Sequence, residues 1–139
     1  MKSCCLIFLL VSIFCGCLDR APDNRKLKIY NKSNDIIYFF ISEKDEFSDP
    51  YQDYSEKAID AVDKVKQDTL AYFIDNPINW EEYIKDCQDG KMRLFIVAKD
   101  SVDKYGLKMV ISKSIFTKKY LIDIEYLNKV DWSIKYEDK

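Results

Sequence analysis

The amino-acid sequence predicts a mainly β protein: a small antiparallel β-sandwich with two or three short helices, the immunoglobulin arrangement being one option. Three observations predict it. Seven stretches of strand length alternate or run apolar, at 26–30, 36–42, 66–73, 91–98, 107–111, 118–124 and 132–136. Turn-forming clusters such as Asn31-Lys32-Ser33-Asn34-Asp35 and Asp89-Gly90 punctuate them. One stretch, Lys91 to Ser101, puts Met92, Leu94 and Ile96 on one face and Arg93, Phe95 and Val97 on the other, so both faces are largely apolar. Such a strand belongs in the middle of a sheet that is covered on both sides.

Residues 1–16 are expected to be a lipoprotein signal peptide. Lys2 is the single charge, and Cys4 to Cys15 is an apolar run, shorter than the ~20 residues a membrane span needs. Phe14-Cys15-Gly16-Cys17 then resembles the bacterial lipobox, in which a bulky residue, a small one and Gly or Ala precede the Cys that becomes the mature N-terminus. Phe14 stands where Leu is usual and Cys15 where Ala or Ser is usual, a relaxed form similar to that of Bacteroides-type lipoproteins. The resemblance implies lipidation of Cys17, with a diacylglyceryl group on its thiol and an acyl chain on its amine. Each buried CH₂ contributes about 0.8 kcal/mol, so two or more chains anchor stably where one does not. A plain secretory signal is the competing reading. Residues 17–25 make the lipidated Cys and a polar tether, and the eight residues from Leu18 to Arg25 reach at most about 25–30 Å. Leu18, and not Asp, follows the Cys, which points to the outer membrane of a bacterial cell envelope.

Residues 26–139 are expected to form one β-rich domain. Lys26 to Tyr30 alternates, with Leu27 and Ile29 on one side and lysines on the other. Ile36 to Ser42 is a β-rich run, so the two predict a hairpin with a longer loop. Ser48-Asp49-Pro50 reads as a helix start, and Tyr51, Tyr54, Ala58, Ile59 and Val62 fit a helical stripe, although a long irregular loop over 50–64 fits as well. Lys66 to Phe73 reads as a strand. Asn79 is placed to cap a short helix from Trp80 to Lys85, with Glu81 and Glu82 near its positive end. After the central strand, Ser101 to Lys104 makes a helical turn before Gly106. Leu107 to Ile111 and Lys118 to Ile124 are the next strands, Asp123 caps a short turn from Ile124 to Leu127, and Trp132, Ile134 and Tyr136 face the core from a last strand. The predicted core is Ile37, Phe39, Leu94, Phe95, Ile96, Tyr120, Trp132 and Ile134.

Charge and cysteine use exclude several functions. The chain carries 22 Lys+Arg against 24 Asp+Glu, and Lys118-Lys119 and Lys64/Lys66 are small clusters, so the nucleic-acid footprint of a large basic patch is absent from the linear sequence. No nucleic-acid partner is expected. Beyond residue 17 Cys87 is the only cysteine, which leaves no intramolecular disulfide and no cysteine metal cluster. With no histidine, His-based triads and the HExxH zinc motif are excluded. Asp45, Glu46, Asp49 and Asp53 could crowd a Ca²⁺, but the EF-hand spacing and its glycine are missing, and a solvated acidic loop is the reading. No metal, cofactor or catalytic residue is expected, and Cys87 reads as structural for want of an activating partner. Trp80 and Tyr83, at i and i+3, either stack on a sugar or pack down on the sheet, the second being the commoner use.

Two tripeptides, Asp68-Thr69-Leu70 and Asp100-Ser101-Val102, resemble the acceptor of Bacteroides-type O-glycosylation and mark Thr69 and Ser101. Ser101, expected at a surface turn, is the better placed of the two, since Thr69 falls in a predicted strand. The C-terminal half adds a wider resemblance. Asn79-Trp80-Glu81, Asp89-Gly90, Leu94-Phe95-Ile96-Val97, Asp100, Lys119-Tyr120-Leu121, Glu125, Leu127 and Asp131-Trp132-Ser133-Ile134-Lys135-Tyr136 together resemble small Bacteroides-type lipoproteins of unknown function that end in a W-x-I-x-Y strand. Leu107 and Glu125 depart from that pattern, where Trp and the shorter acid are expected. The resemblance implies a compact β-rich domain and carries no catalytic residues.

The functional expectation is a membrane-anchored, non-enzymatic binding or accessory module of the envelope, with an unidentified protein or glycan partner. An anchored inhibitor or immunity factor against an envelope toxin is an alternative. A glycoside hydrolase is a weaker one, needing two carboxylates about 5–10 Å apart across a cleft, with Asp100/Asp103 or Glu81/Glu82 as the available pairs.

Overall fold

The computed structural model describes residues 24–47, 64–73 and 79–138. The predicted signal peptide, Cys17 and the helix-or-loop question over 50–63 lie outside them. Among the described residues seven strands form two sheets: β1 (Lys28–Asn31), β4 (Leu70–Tyr72) and β7 (Ser133–Tyr136) in the order β4-β1-β7, and β2 (Ile37–Ser42), β3 (Lys64–Val65), β5 (Met92–Ala98) and β6 (Lys118–Ile122) in the order β3-β2-β5-β6. All pairings are antiparallel except β1 with β7. The architecture is the small sandwich the sequence predicts.

The central strand is as expected. β5 lies between β2 and β6, and every residue from Met92 to Val97 is buried. Its two faces feed two cores. Met92, Leu94 and Ile96 join Ile37 and Phe39 of β2, Ile29, Ile134 and Tyr136 of the three-stranded sheet, and Leu27 just before β1, filling the space between the sheets. Phe95 and Val97 join Tyr38, Phe40 and Phe47 beneath two helices. The layers therefore run three-stranded sheet, four-stranded sheet, helices. Seven of the eight predicted core residues are buried; Tyr120 is half-buried against the inter-sheet core.

Four short α-helices are present among the described residues: α1 (Trp80–Asp86), α2 (Lys99–Tyr105), α3 (Leu107–Ser112) and α4 (Ile124–Lys129). The predicted caps are in place. The Asn79 side chain accepts from the Glu82 N–H at 3.2 Å, and Asp123 Oδ1 accepts from the Tyr126 N–H at 2.8 Å. The stretch 107–111, predicted as a strand, is helix α3. Its buried residues are Leu107, Val110 and Ile111, spaced i, i+3, i+4, while Met109, which strand alternation would bury, is 45% exposed. Gly106 makes the break between α2 and α3 at φ +75, a conformation that costs glycine nothing.

Two other expectations fail for one reason, a change of sheet. β1 and β2 do not form a hairpin, because each pairs in a different sheet. Their link is tied by the fully buried Asn31, whose Nδ2 donates to Asp35 O at 2.7 Å and Val65 O at 3.0 Å and whose Oδ1 accepts from Ser33 N and Oγ. Likewise 66–73 is not one strand. Lys66 to Thr69 is a turn that passes the chain from β3 to β4, with Asp68 at φ +54 and the Thr69 hydroxyl donating to Lys66 O at 2.6 Å.

Candidate functional site

Strand alternation, half-buried on one side, gives the three-stranded sheet one apolar face and one solvent face. Ile29 and Asn31 of β1 and Ile134 and Tyr136 of β7 point inward. The outward positions are Lys28 and Tyr30, Ser133 and Lys135, and Leu70 and Tyr72. Register aligns them in two rows: Tyr72, Lys28 and Ser133 side by side, and Leu70, Tyr30 and Lys135 side by side. None of the six is a carboxylate, in a chain of net charge −2. Leu70 and Tyr72 are 41% and 49% exposed.

Further cations border these rows. The Lys26 ammonium lies 6.0 Å from the Tyr72 ring centroid and that of Lys32 lies 4.6 Å from the Tyr30 ring. Interaction with Tyr30 and with Asp68 holds the Lys32 pKa above its usual value. The carboxylates nearby are at the ends: Asp68, 3.3 Å from Lys32 Nζ, Asp131 beside the start of β7, and Glu137 beyond its end.

At the start of β1 the face runs into an open cleft of about 320 Å³ lined by Asn24, Arg25, Lys26, Lys28, Asp131 and Trp132. Its floor is strained. Asp131 and Trp132 are consecutive residues at φ +50 and +58, a region bulky side chains avoid. Backbone bonds hold the turn: Asp131 N–H to Asn128 O at 3.4 Å, Trp132 N–H to Leu127 O at 2.9 Å, Ser133 N–H to Val130 O at 3.1 Å, and Lys28 N–H to Trp132 O at 2.8 Å. The Arg25 guanidinium sits 4.5 Å over the Trp132 ring while it pairs with Glu81 at 2.6 Å, and the Trp80 indole N–H donates to Arg25 O at 3.1 Å. The cleft is thus built where the predicted tether enters the domain.

The residues singled out from sequence are dispersed. Thr69 is exposed in the β3–β4 turn, not in a strand, whereas Ser101 is half-buried in the first turn of α2, so accessibility favours Thr69. Cys17 lies outside the described residues. Glu81 pairs with Arg25, and Asp103 pairs with Lys99. Asp45 of the acidic loop accepts from Lys119 Nζ at 2.7 Å, an interaction that lowers its pKa below the usual carboxylate value. Asp49 and Asp53 are outside the described residues. The Trp80 ring is fully buried and meets Tyr83 edge-on at 6.0 Å, so it packs inward.

Cys87 is 4% exposed and its thiol donates to Tyr83 O at 3.2 Å. Burial, with Glu43 nearby, pushes its pKa up to about 11, so the thiolate is scarce at neutral pH. Iodoacetamide at pH 8 is expected to leave Cys87 unmodified in the folded protein and to alkylate it in urea. Rapid alkylation of the native protein, read by intact mass, would show a reactive thiol.

The outward sheet face is the feature sequence reading missed. Its signal was present as the alternation of Lys26, Lys28 and Tyr30 and of Ser133 and Lys135. The pairing that brings 26–30 beside 133–135 joins segments a hundred residues apart. The chain matches no family model, and no curated protein or solved structure is significantly similar to it.

Proposed function

We propose that the chain is a membrane-anchored lipoprotein of the bacterial cell envelope, a non-enzymatic binding or accessory module held at the outer membrane through Cys17. The observation that carries the reading is Gly16-Cys17 at the end of a short apolar run that follows Lys2. The likeness to small Bacteroides-type lipoproteins is in keeping with it. A sandwich whose first buried residue among those described is Leu27, two residues beyond the tether, suits a module carried close to a membrane surface. The role is to present the helical layer, α2 and α3, to an envelope protein or glycan. Tyr105 and Met109, each 45% exposed on the helical layer, are suited to a protein partner.

The test is Cys17→Ala in the native host with metabolic labelling by an alkyne fatty acid. The wild-type protein is expected to take up label and to partition into the detergent phase. The variant is expected to lose the label and accumulate as precursor. Label retained by the variant, or an unlabelled wild-type protein in the aqueous phase, overturns the reading.

A further inference from the structure

We propose that the outward face of the three-stranded sheet lies flat on the anionic headgroup surface of a phospholipid membrane, so that the anchored domain has one fixed orientation. This rests on the lipoprotein reading for its biological setting, and on the face itself for its chemistry.

The composition of the face matches that surface. Lys28 and Lys135 stand in the two rows, where no outward strand position bears a carboxylate; at the borders Lys26 shares the cleft with Asp131, and Lys32 is paired with Asp68. Lysines snorkel: their methylene stems cover apolar surface while the ammonium groups reach phosphate. Tyr30 and Tyr72 add amphipathic rings of the type found at headgroup depth, and Leu70 adds an exposed aliphatic group. A solvated face needs lysines, but gains nothing from placing Leu70 and Tyr72 among them at 41% and 49% exposure.

The chain path supplies the second reason. Cys17 and Asn24 are seven residues apart, a reach of at most about 25 Å. A lipidated Cys17 therefore holds Asn24 and the cleft at the start of β1 within that distance of the bilayer, and the sheet face continues from that cleft. Tethering makes docking intramolecular, so binding that is measurable but modest for the free domain holds the anchored one in a single orientation. Each lysine near an anionic surface strengthens binding roughly fivefold, an effect that salt screens. With this face down, the layer order points α2 and α3, with Tyr105 and Met109, away from the membrane.

The test separates the face from the anchor. Both cores are built from residues 27–136, so the chain from Leu18 to Lys139 keeps the whole sandwich. This chain is sedimented with vesicles of equimolar phosphatidylglycerol and phosphatidylcholine, and with pure phosphatidylcholine, at low and at 0.3 M NaCl. Binding to the anionic vesicles is expected to exceed that to phosphatidylcholine at least tenfold, and to fall about as much in salt. Lys26→Glu/Lys135→Glu, both exposed, is expected to lose tenfold or more, and Lys28→Gln several-fold. Lys108→Glu/Lys113→Glu on the helical layer is expected to change nothing, with folding checked by circular dichroism.

Equal binding to both vesicle types overturns the proposal. So does a folded Lys26→Glu/Lys135→Glu variant that binds like wild type. Binding to soluble polygalacturonate without binding to vesicles overturns it in favour of an acidic-glycan site. Because Cys17 is absent from this chain, failure here leaves the lipidation reading standing, and loss of the lipidation reading leaves this result standing.

Discussion

Trp80→Ala is expected to lower the unfolding free energy by about 3–5 kcal/mol, the range for deleting a large buried aromatic side chain. Trp80 is 0% exposed at the first position of α1. Its ring meets Trp132 at 5.5 Å, Tyr83 at 6.0 Å and Phe73 at 6.3 Å, so it joins α1, the strained turn before β7 and the end of β4. The indole N–H also donates to Arg25 O, so truncation removes that carbonyl's partner. Urea unfolding gives the value. Trp132→Ala is expected to fall in the same range, towards its lower end, because that ring is 7% exposed. The double variant should show a coupling of about 0.5–1.5 kcal/mol for the edge-to-face pair. A Trp80→Ala loss under about 1 kcal/mol would place the ring outside the core.

Arg93→Met is expected to cost about 1–3 kcal/mol, the scale of losing hydrogen bonds from a buried charged donor to partly exposed backbone carbonyls. Arg93 is the one charged side chain on the central strand's helical face, and it is 3% exposed. Its Nη1 donates to both Gln88 O and Lys91 O, and its Nη2 to Asp89 Oδ2 at 3.1 Å. These bonds pin the 3-10 turn Gln88–Gly90, where Asp89 sits at φ +59, to the start of β5. Its Nε, buried and without a hydrogen bond, faces Asp45 Oδ1 at 3.9 Å. The two carboxylates are 47% and 70% exposed, so solvent screens the charge interactions and the carbonyl bonds dominate. The cost of Arg93→Met should therefore change by less than about 0.5 kcal/mol between 0.05 and 0.5 M NaCl. Arg93→Lys keeps the charge but lacks the planar fork, and is expected to recover less than half of the loss. A fully stable Arg93→Lys protein would show that charge alone matters at this position.

Local pattern by itself determined much of this protein. The alternation of Met92, Leu94 and Ile96 against Arg93, Phe95 and Val97 identified a strand covered on both sides, and those sets enter separate cores. Asn79 and Asp123 announced two helix starts, because a cap acts within three residues of itself. Trp132, Ile134 and Tyr136 were readable as inward-facing for the same reason, a period of two. The short run Leu107 to Ile111 reads as a strand from sequence and is a helix, since five apolar-rich residues satisfy either period. The core under α3 chose the helix by burying Val110 and exposing Met109.

Only the tertiary structure decided which strands became neighbours. Segments 26–30 and 36–42 look like a hairpin because proximity in sequence makes pairing cheap in chain entropy. Ile37 to Phe40, apolar on both faces, is more stable inside the four-stranded sheet, while Lys28 and Tyr30 need one side in water. The candidate face follows from that separation. Lys28 meets Ser133, and Tyr30 meets Lys135, through a parallel pairing across a hundred residues. Alternation sets which way each side chain points along its own strand; it carries no information about which distant strand lies alongside, because that is settled by the summed burial of the whole core.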